Sequence, residues 1–295
     1  MQLTHFRLKL QRVPKSKTMN ETLVIMAGGA SSRMKKSESN LLSKKMQEQA
    51  NKRSKGLIEL GGKPFMDYLL LNAVAAGYKS IYIITGENSE LFRSLYQNNP
   101  QFSGLHIQFA TQYIPKEREK PFGTADALYQ CMVQFPALKE LNFSVCNSDN
   151  LYSVKALKAV RTTKSNNTCV AYDIDHLDYP KERISHFAVI KFDNEYELQD
   201  IIEKPEADKI NQYVDVKGKI RVSMNLFSFS GKVFFNHLKN CPVHPVRNEK
   251  ELPTAIMNMI DETASMLGIP FAEHVPDLTS KKDIFKLEEY IAKHF

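Results

Sequence analysis

The run Leu23-Val24-Ile25-Met26-Ala27-Gly28-Gly29-Ala30-Ser31-Ser32-Arg33-Met34 joins an unbroken apolar segment to two glycines, two serines and an arginine. Residue types in this order suit the binding of phosphate. Leu23 to Ala27 has no polar break, as expected for a parallel strand buried on both faces. Gly28 and Gly29 let the backbone turn sharply and approach a ligand with no Cβ in the way. Successive amides in such a turn form a concave anion site, and Arg33 adds a fixed fork of charged donors. At the carboxyl end of a strand in an open α/β sheet, this is where phosphates bind.

Four further segments carry chemistry. Lys55 opens KGLIELGGKP just before a strand, is expected close in space to the glycine turn, and could neutralise a triphosphate. FGTADAL over 122–128 places Gly123 and Thr124 at a helix start. Thr124 is there a helix cap or a hydroxyl for a ribose or base, with Asp126 suited to the helix dipole. Gln112, ending the preceding strand, offers a two-way amide to a nucleobase edge. NSDNLY over 147–152 sets Asp149 at a strand's carboxyl end, where one or two carboxylates suit Mg²⁺ completed by phosphate oxygens and water. IIEKP ends another strand with Glu203 and Lys204. The carboxylate could accept from sugar hydroxyls, and the ammonium could hold a phosphate as a point charge.

Alternating strand and helix signals must position these residues. Helices are expected at 66–77, 124–134 and 153–163, and strands at 80–85, 105–111, 142–147 and 168–172. This repetition means a parallel sheet covered on both faces. HFAVIKF and YELQDIIEKP then read as a hairpin around Asp193-Asn194. Residues 221–229 follow as a strand, and two helices with a short strand finish the chain. Residues 1–20 read as an extension ahead of the first strand, with Met19 a candidate true start. The segment 35–54, rich in Lys, Ser, Gln and Asn, reads as an inserted mobile loop over the glycine turn, with at most a weak helical stripe of Leu41, Leu42 and Met46.

Bulk properties narrow the class. The 295 residues suffice for one large α/β domain, and 42% apolar content supports a full core. No apolar run reaches the roughly 18 residues of a membrane span, and the basic N-terminus lacks an apolar signal region. The net charge of +7 would suggest nucleic acid. However, residues 1–20 hold five cations and no acid, and 35–54 hold six cations against two acids, leaving the remainder slightly acidic. With no interleaved aromatic and basic residues, neither a nucleic-acid nor a membrane partner is expected. Cys131, Cys146, Cys169 and Cys241 form no CxxC pair, which suits buried thiols in a cytoplasmic protein.

In this order, the segments resemble the sugar-1-phosphate nucleotidylyltransferases over about Thr22 to Ile284. Gly28, Gly29, Ser32, Arg33 and Met34 match that family's opening signature, Gly-Gly-x-Gly-(Ser/Thr)-Arg-(Met/Leu). Lys55 matches its lysine, and Gly62-Lys63-Pro64 matches its Gly-Lys-Pro. GTADA over 123–127 is a family word. Asp149 falls on the magnesium aspartate and Glu203-Lys204-Pro205 on the sugar-binding EKP. VSMNLFSF resembles Ser-Met-Gly-Ile-Tyr-x-Phe with Asn225 in place of Gly. VPDLTS over 275–280 resembles Trp-x-Asp-Ile-Gly-Thr and carries the second metal carboxylate onto Asp277.

The resemblance implies an α/β fold of the nucleotide-diphospho-sugar transferase type. This is a Rossmann-like three-layer sandwich with a mixed, mostly parallel sheet, one domain over 21–295, and a sugar-side β-region over 173–230. It implies Mg-dependent transfer of NMP from a nucleoside triphosphate to a sugar 1-phosphate, and leaves oligomeric assembly open. Catalysis falls to Arg33, Lys55, Asp149 and Lys204. Nucleotide binding falls to Ala27, Gly28, Gly29, Ser32, Arg33, Gln112, Gly123 and Thr124, sugar binding to Glu203, Lys204 and Asn225, and metal binding to Asp149 and Asp277. Ser31 replaces the third glycine and looks like the molybdenum-cofactor guanylyltransferases, so a non-sugar acceptor of that or the phosphocholine type is an alternative. A non-catalytic nucleotide-sugar-binding protein is another. A nucleotide-sugar-dependent glycosyltransferase would carry an Asp-x-Asp metal site, but Asp173-Ile174-Asp175 lies outside the strand that leads to Asp149.

Overall fold

The computed structural model describes residues 20–39, 42–184, 187–203, 205–206, 209–262 and 264–295. The candidate start at Met19 and the candidate Lys204 lie outside the described residues. The chain opens with β1 (Thr22–Met26), α1 (Ser32–Lys36) and α2 (Lys44–Lys52), then the short pair β2 (Glu59–Leu60) and β3 (Lys63–Pro64). There follow α3 (Phe65–Ala76), β4 (Ser80–Thr85), α4 (Glu90–Tyr96), β5 (His106–Thr111), α5 (Thr124–Gln134), β6 (Asn142–Asn147), α6 (Val154–Thr162) and β7 (Thr168–Asp173). The second half holds α7 (Lys181–Ile184), β8 (Val189–Phe192), β9 (Leu198–Ile202), β10 (Arg221–Ser230), α8 (Gly231–Lys239), α9 (Leu252–Glu262), β11 (Leu267–Phe271) and α10 (Asp283–His294).

The main sheet runs β11-β7-β10-β6-β1-β4-β5, with β8 and β9 attached as a hairpin beside β10. β1 lies parallel to both β4 and β6, and β4 parallel to β5, so their carboxyl ends emerge on one edge. β10 enters antiparallel between β6 and β7, which makes the sheet mixed. Residues of β1 alternate between two cores. Leu23 and Ile25 pack with α3 and α6 on one face, and Val24 packs with α5, α8 and α9 on the other. An apolar strand with no polar break is thus buried on both sides, giving helices, sheet and helices in three layers. Among the described residues no helix is long and apolar enough to cross a membrane.

The segment 35–54, expected as a loop with a weak helical stripe, holds α2. Ser43 caps α2 by accepting from the Met46 N–H at 3.2 Å. Buried Gln49 holds the helix down: its Oε1 accepts from the Glu59 N–H at 2.9 Å, and Arg53 pairs with Glu59 at 2.9 Å. Leu42 and Met46 pack against the core beside buried Ala50, so an apolar stripe and these polar bonds anchor the helix together. The end of the chain also differs, with three helices after β10 where two were expected. The four cysteines are free and buried, and burial pushes the Cys131 and Cys169 thiols up to about 12.

Candidate active site

The site forms where β1 and β6 end side by side, with Met26 opposite Asn147. The Ser148 N–H donates to the Met26 carbonyl at 3.1 Å, so the glycine turn and the Asp149 turn leave the sheet together. Ser54 donates to the Ala27 carbonyl at 3.3 Å and brings Lys55 beneath the turn. There the Lys55 Nζ meets Asp149 Oδ2 at 2.7 Å, with both side chains largely buried.

Asp277 arrives from a distant part of the chain by backbone pairing. The Leu151 N–H donates to the Pro276 carbonyl and the Leu278 N–H to the Asp149 carbonyl, both at 2.8 Å. This short bridge sets the two aspartates next to one another. Burial, and then the negative charge of Asp149, raise the Asp277 pKa against the opposing pull of Arg183 and Lys55. Ser37, just after α1, is tied to this segment: its carbonyl accepts from Lys281 Nζ at 2.7 Å and its hydroxyl from the Lys281 N–H at 3.0 Å. Arg33 and Asp277 are therefore held on one rim.

These residues border a cavity of about 1050 Å³ that brings together Arg33, Asp149, Glu203, Asn225 and Asp277. Asn225 sits at an irregularity of β10 between Ser223 and Phe227, with φ of 57°. Tyr152 Oη fixes that bend by donating to the Met224 carbonyl at 2.6 Å. Ser31 also has positive φ, at 54°. Both departures from the glycines of the resembled motifs fall on left-handed backbone, which glycine adopts freely and asparagine tolerates.

Gln112, Gly123 and Thr124 do not line this cavity; Gln112 lies against the glycine turn at Gly28. Gln112 is buried, and its Nε2 donates to the Gly123 carbonyl at 2.9 Å and to Asp126 Oδ2 at 3.0 Å. Both partners accept only, so the amide is oriented: Nε2 is spent within the protein and Oε1 faces Gly28. The two-way amide expected from the sequence is thus an acceptor alone. Gly123 has φ of 100°, and a Cβ there would stand 2.3 Å from the Lys250 carbonyl oxygen. Gly123 is itself the cap position of α5. Thr124 does not cap its own helix; its hydroxyl accepts from the Leu252 N–H at 2.9 Å at the start of α9.

Several residues lining the cavity escaped the sequence reading, two arginines among them. Arg247 pairs with Glu203, and with Glu251 at 2.5 Å. Arg183 pairs with Asp277 at 2.8 Å. Arg247 shows only the i,i+4 spacing to Glu251, which reads as an ordinary surface pair, and Arg183 sits in an unremarkable charged run. Two adjacent carboxylates opening on a polar cavity are the donor set that suits Mg²⁺ when phosphate and water complete its shell. Among the described residues no group of three or more His, Cys, Asp or Glu forms a self-sufficient metal site. A cation bound here would therefore share its shell with substrate.

The family model for nucleotidyl transferase matches residues 22–293. A glucose-1-phosphate adenylyltransferase of Koribacter versatilis (strain Ellin345) is 24% identical over 222 residues, covering 73% of this chain and 50% of that protein. One of Bradyrhizobium diazoefficiens is 25% identical over 244 residues, covering 76% of this chain and 51% of that protein. The chain spans about half the length of these curated relatives. The solved structure of UDP-glucose pyrophosphorylase complexed with UDP-glucose superposes with a TM-score of 0.69 at 16% identity, over 94% of this chain and 100% of that one, a likeness of fold. With the strand ends, the glycine turn and the paired aspartates in place, the chain belongs to the nucleotidyl transferase family.

Proposed function

We propose that this protein transfers NMP from a nucleoside triphosphate to a sugar 1-phosphate, giving an NDP-sugar and pyrophosphate. The observation that carries this reading is the convergence of Arg33, Asp149, Glu203, Asn225 and Asp277 on one cavity beside the carboxyl ends of parallel β1 and β6, with Lys55 on Asp149. In the reaction, a phosphate oxygen of the sugar phosphate attacks the α-phosphorus while the bond to the bridging oxygen breaks and pyrophosphate leaves. No covalent intermediate forms on the protein, so positioning and charge stabilisation do the work.

The backbone of Ala27, Gly28 and Gly29, with the Ser32 hydroxyl, receives the triphosphate. Arg33 and Lys55 neutralise the departing pyrophosphate; Lys55 reaches it by leaving Asp149. Gln112 Oε1 accepts an N–H from the base, beside Gly123 and Thr124. Glu203 takes sugar hydroxyls, Asn225 borders the sugar, and Lys204 holds the attacking phosphate. Asp149 and Asp277 would hold Mg²⁺, which when bound screens the repulsion between the two anionic substrates and polarises the α-phosphate. The pairing of Arg247 with Glu203 places a further cation where an anionic acceptor would sit. Buried free thiols fit a cytoplasmic enzyme.

The test is a grid of nucleoside triphosphates against sugar 1-phosphates with Mg²⁺, products identified by mass spectrometry. One nucleotide-sugar formed from one pairing supports the reading. Formation of none, with triphosphate still bound, overturns it in favour of a non-sugar acceptor or a binding protein.

A further inference from the structure

Arg183 lies on α7, and its guanidinium forks between two carboxylates. Nη2 donates to Asp277 Oδ2 at 2.8 Å and Nη1 to Asp283 Oδ1 at 2.5 Å. The Tyr179 ring lies 4.4 Å below it. The other Asp283 oxygen accepts from the Thr279 N–H at 3.1 Å, the Ser280 N–H at 2.6 Å and the Ser280 hydroxyl at 3.0 Å. The segment that carries Asp277 is thus wound around Asp283, with Arg183 plugged into its centre. The two aspartates differ in the freedom of their counter-ions. Lys55 is a single flexible ammonium with one carboxylate partner, and it can move to a triphosphate. Arg183 is clamped on three sides and stays.

We propose that Arg183, held by Asp283, is a positioning residue that aims Asp277 and screens it against divalent cations until a triphosphate arrives. The proposal rests on the reading of Asp149 and Asp277 as the metal carboxylates. A dication approaching Asp277 meets a positive charge fixed 2.8 Å from its Oδ2. In a partly buried site this repulsion is only weakly screened. A triphosphate supplies the negative charge that offsets it, so cation and nucleotide enter together and the free protein holds the cation poorly.

The test is a titration of the ligand-free protein with Mn²⁺ alone, free Mn²⁺ being followed by its paramagnetic resonance and folding by circular dichroism. Arg183→Gln is expected to bind Mn²⁺ at least about tenfold more tightly than the wild type. Asp283→Asn, which leaves the guanidinium to Asp277 alone, is expected to bind it more weakly. Asp277→Asn is expected to weaken binding and to abolish the gain when combined with Arg183→Gln. A merely structural arginine would give loss, not gain. Equal or weaker binding by Arg183→Gln, with Asp277→Asn still weakening it, overturns the screening role and leaves the carboxylate reading standing. No effect of Asp277→Asn in either background overturns the carboxylate reading itself. Should Arg183→Gln fail to fold, Arg183→Met removes the charge and keeps an unbranched side chain over the Tyr179 ring. Mn²⁺ affinity above the wild type then supports the proposal, and affinity at or below it overturns it.

Discussion

Gln112→Glu changes one group on a buried side chain and reverses its hydrogen-bonding character. The amide Nε2 makes two bonds, to the Gly123 carbonyl at 2.9 Å and to Asp126 Oδ2 at 3.0 Å. A carboxylate there donates neither, and turns an oxygen toward two acceptors, one of them charged. An acceptor left unpaired costs about 1–3 kcal/mol. Asp126 keeps its bond from Gln130 at 2.9 Å, so the larger hydrogen-bond loss falls on Gly123. Repulsion between two carboxylates about 4 Å apart adds up to about 4 kcal/mol at an effective dielectric near 20. The expected cost at pH 8 is at least about 1 and up to about 7 kcal/mol. The same repulsion raises the pKa of the introduced glutamate above the ordinary value of about 4.3. The folded state then binds a proton that the unfolded state has released. Stability therefore falls as pH rises from about 4.3 through the raised value, and levels off above it. Urea denaturation of both proteins at pH 5 and pH 8 measures this. A smaller loss at pH 5 than at pH 8 is expected. A loss below about 1 kcal/mol at pH 8, or one equal at both pH values, would show that the amide is not oriented as described.

Gly123→Ala places a methyl 2.3 Å from the Lys250 carbonyl oxygen at φ of 100°, and should cost at least about 2 kcal/mol in urea denaturation. Asp215→Ala strands Arg221, whose Nε it binds at 2.7 Å with both side chains almost wholly buried, and should cost about 3–5 kcal/mol. Burial opposes ionisation of Asp215, but N–H groups of Lys219 and Lys217, Arg221 and Tyr196 outweigh it and hold its pKa below 3.8. The stability it lends is therefore full above pH 3.8 and lost as pH falls through the lower folded value, so the gap between wild type and variant should narrow only in that acid range. Asn225→Gly should leave thermal stability within about 1 kcal/mol of the wild type, whereas Asn225→Val, a β-branched residue at φ of 57°, should lose about 2 kcal/mol.

Much of the layout was legible because each central strand is buried on both faces and so reads as an apolar run ending in a turn. Val24 and Ile25 serve opposite cores, which no alternating pattern would allow. Arg33, Asp149 and Glu203 were legible for a related reason: they stand at strand ends or just beyond, where an open sheet presents its ligand face. Asp277 was found only through its resemblance to a motif. What the chain concealed are partnerships across distance. Arg183 lies 94 residues from Asp277, and Arg247 lies 44 from Glu203, and no local pattern announces either pair. The cap expected of Thr124 does not form, because its hydroxyl serves a helix 128 residues away. The helix α2 showed only weakly because Met46 and Ala50 supply a short apolar stripe and the polar Gln49 supplies the rest of its anchor.

The most direct measurement is pyrophosphate release with Mg²⁺ by the wild type and by Asp149→Asn, each with the triphosphate alone, the sugar 1-phosphate alone and both together. The account predicts release only when both are present, and a loss of about 10²–10³-fold in Asp149→Asn with the circular dichroism spectrum unchanged. Release from the triphosphate without an acceptor, or near-normal turnover by Asp149→Asn, would contradict it.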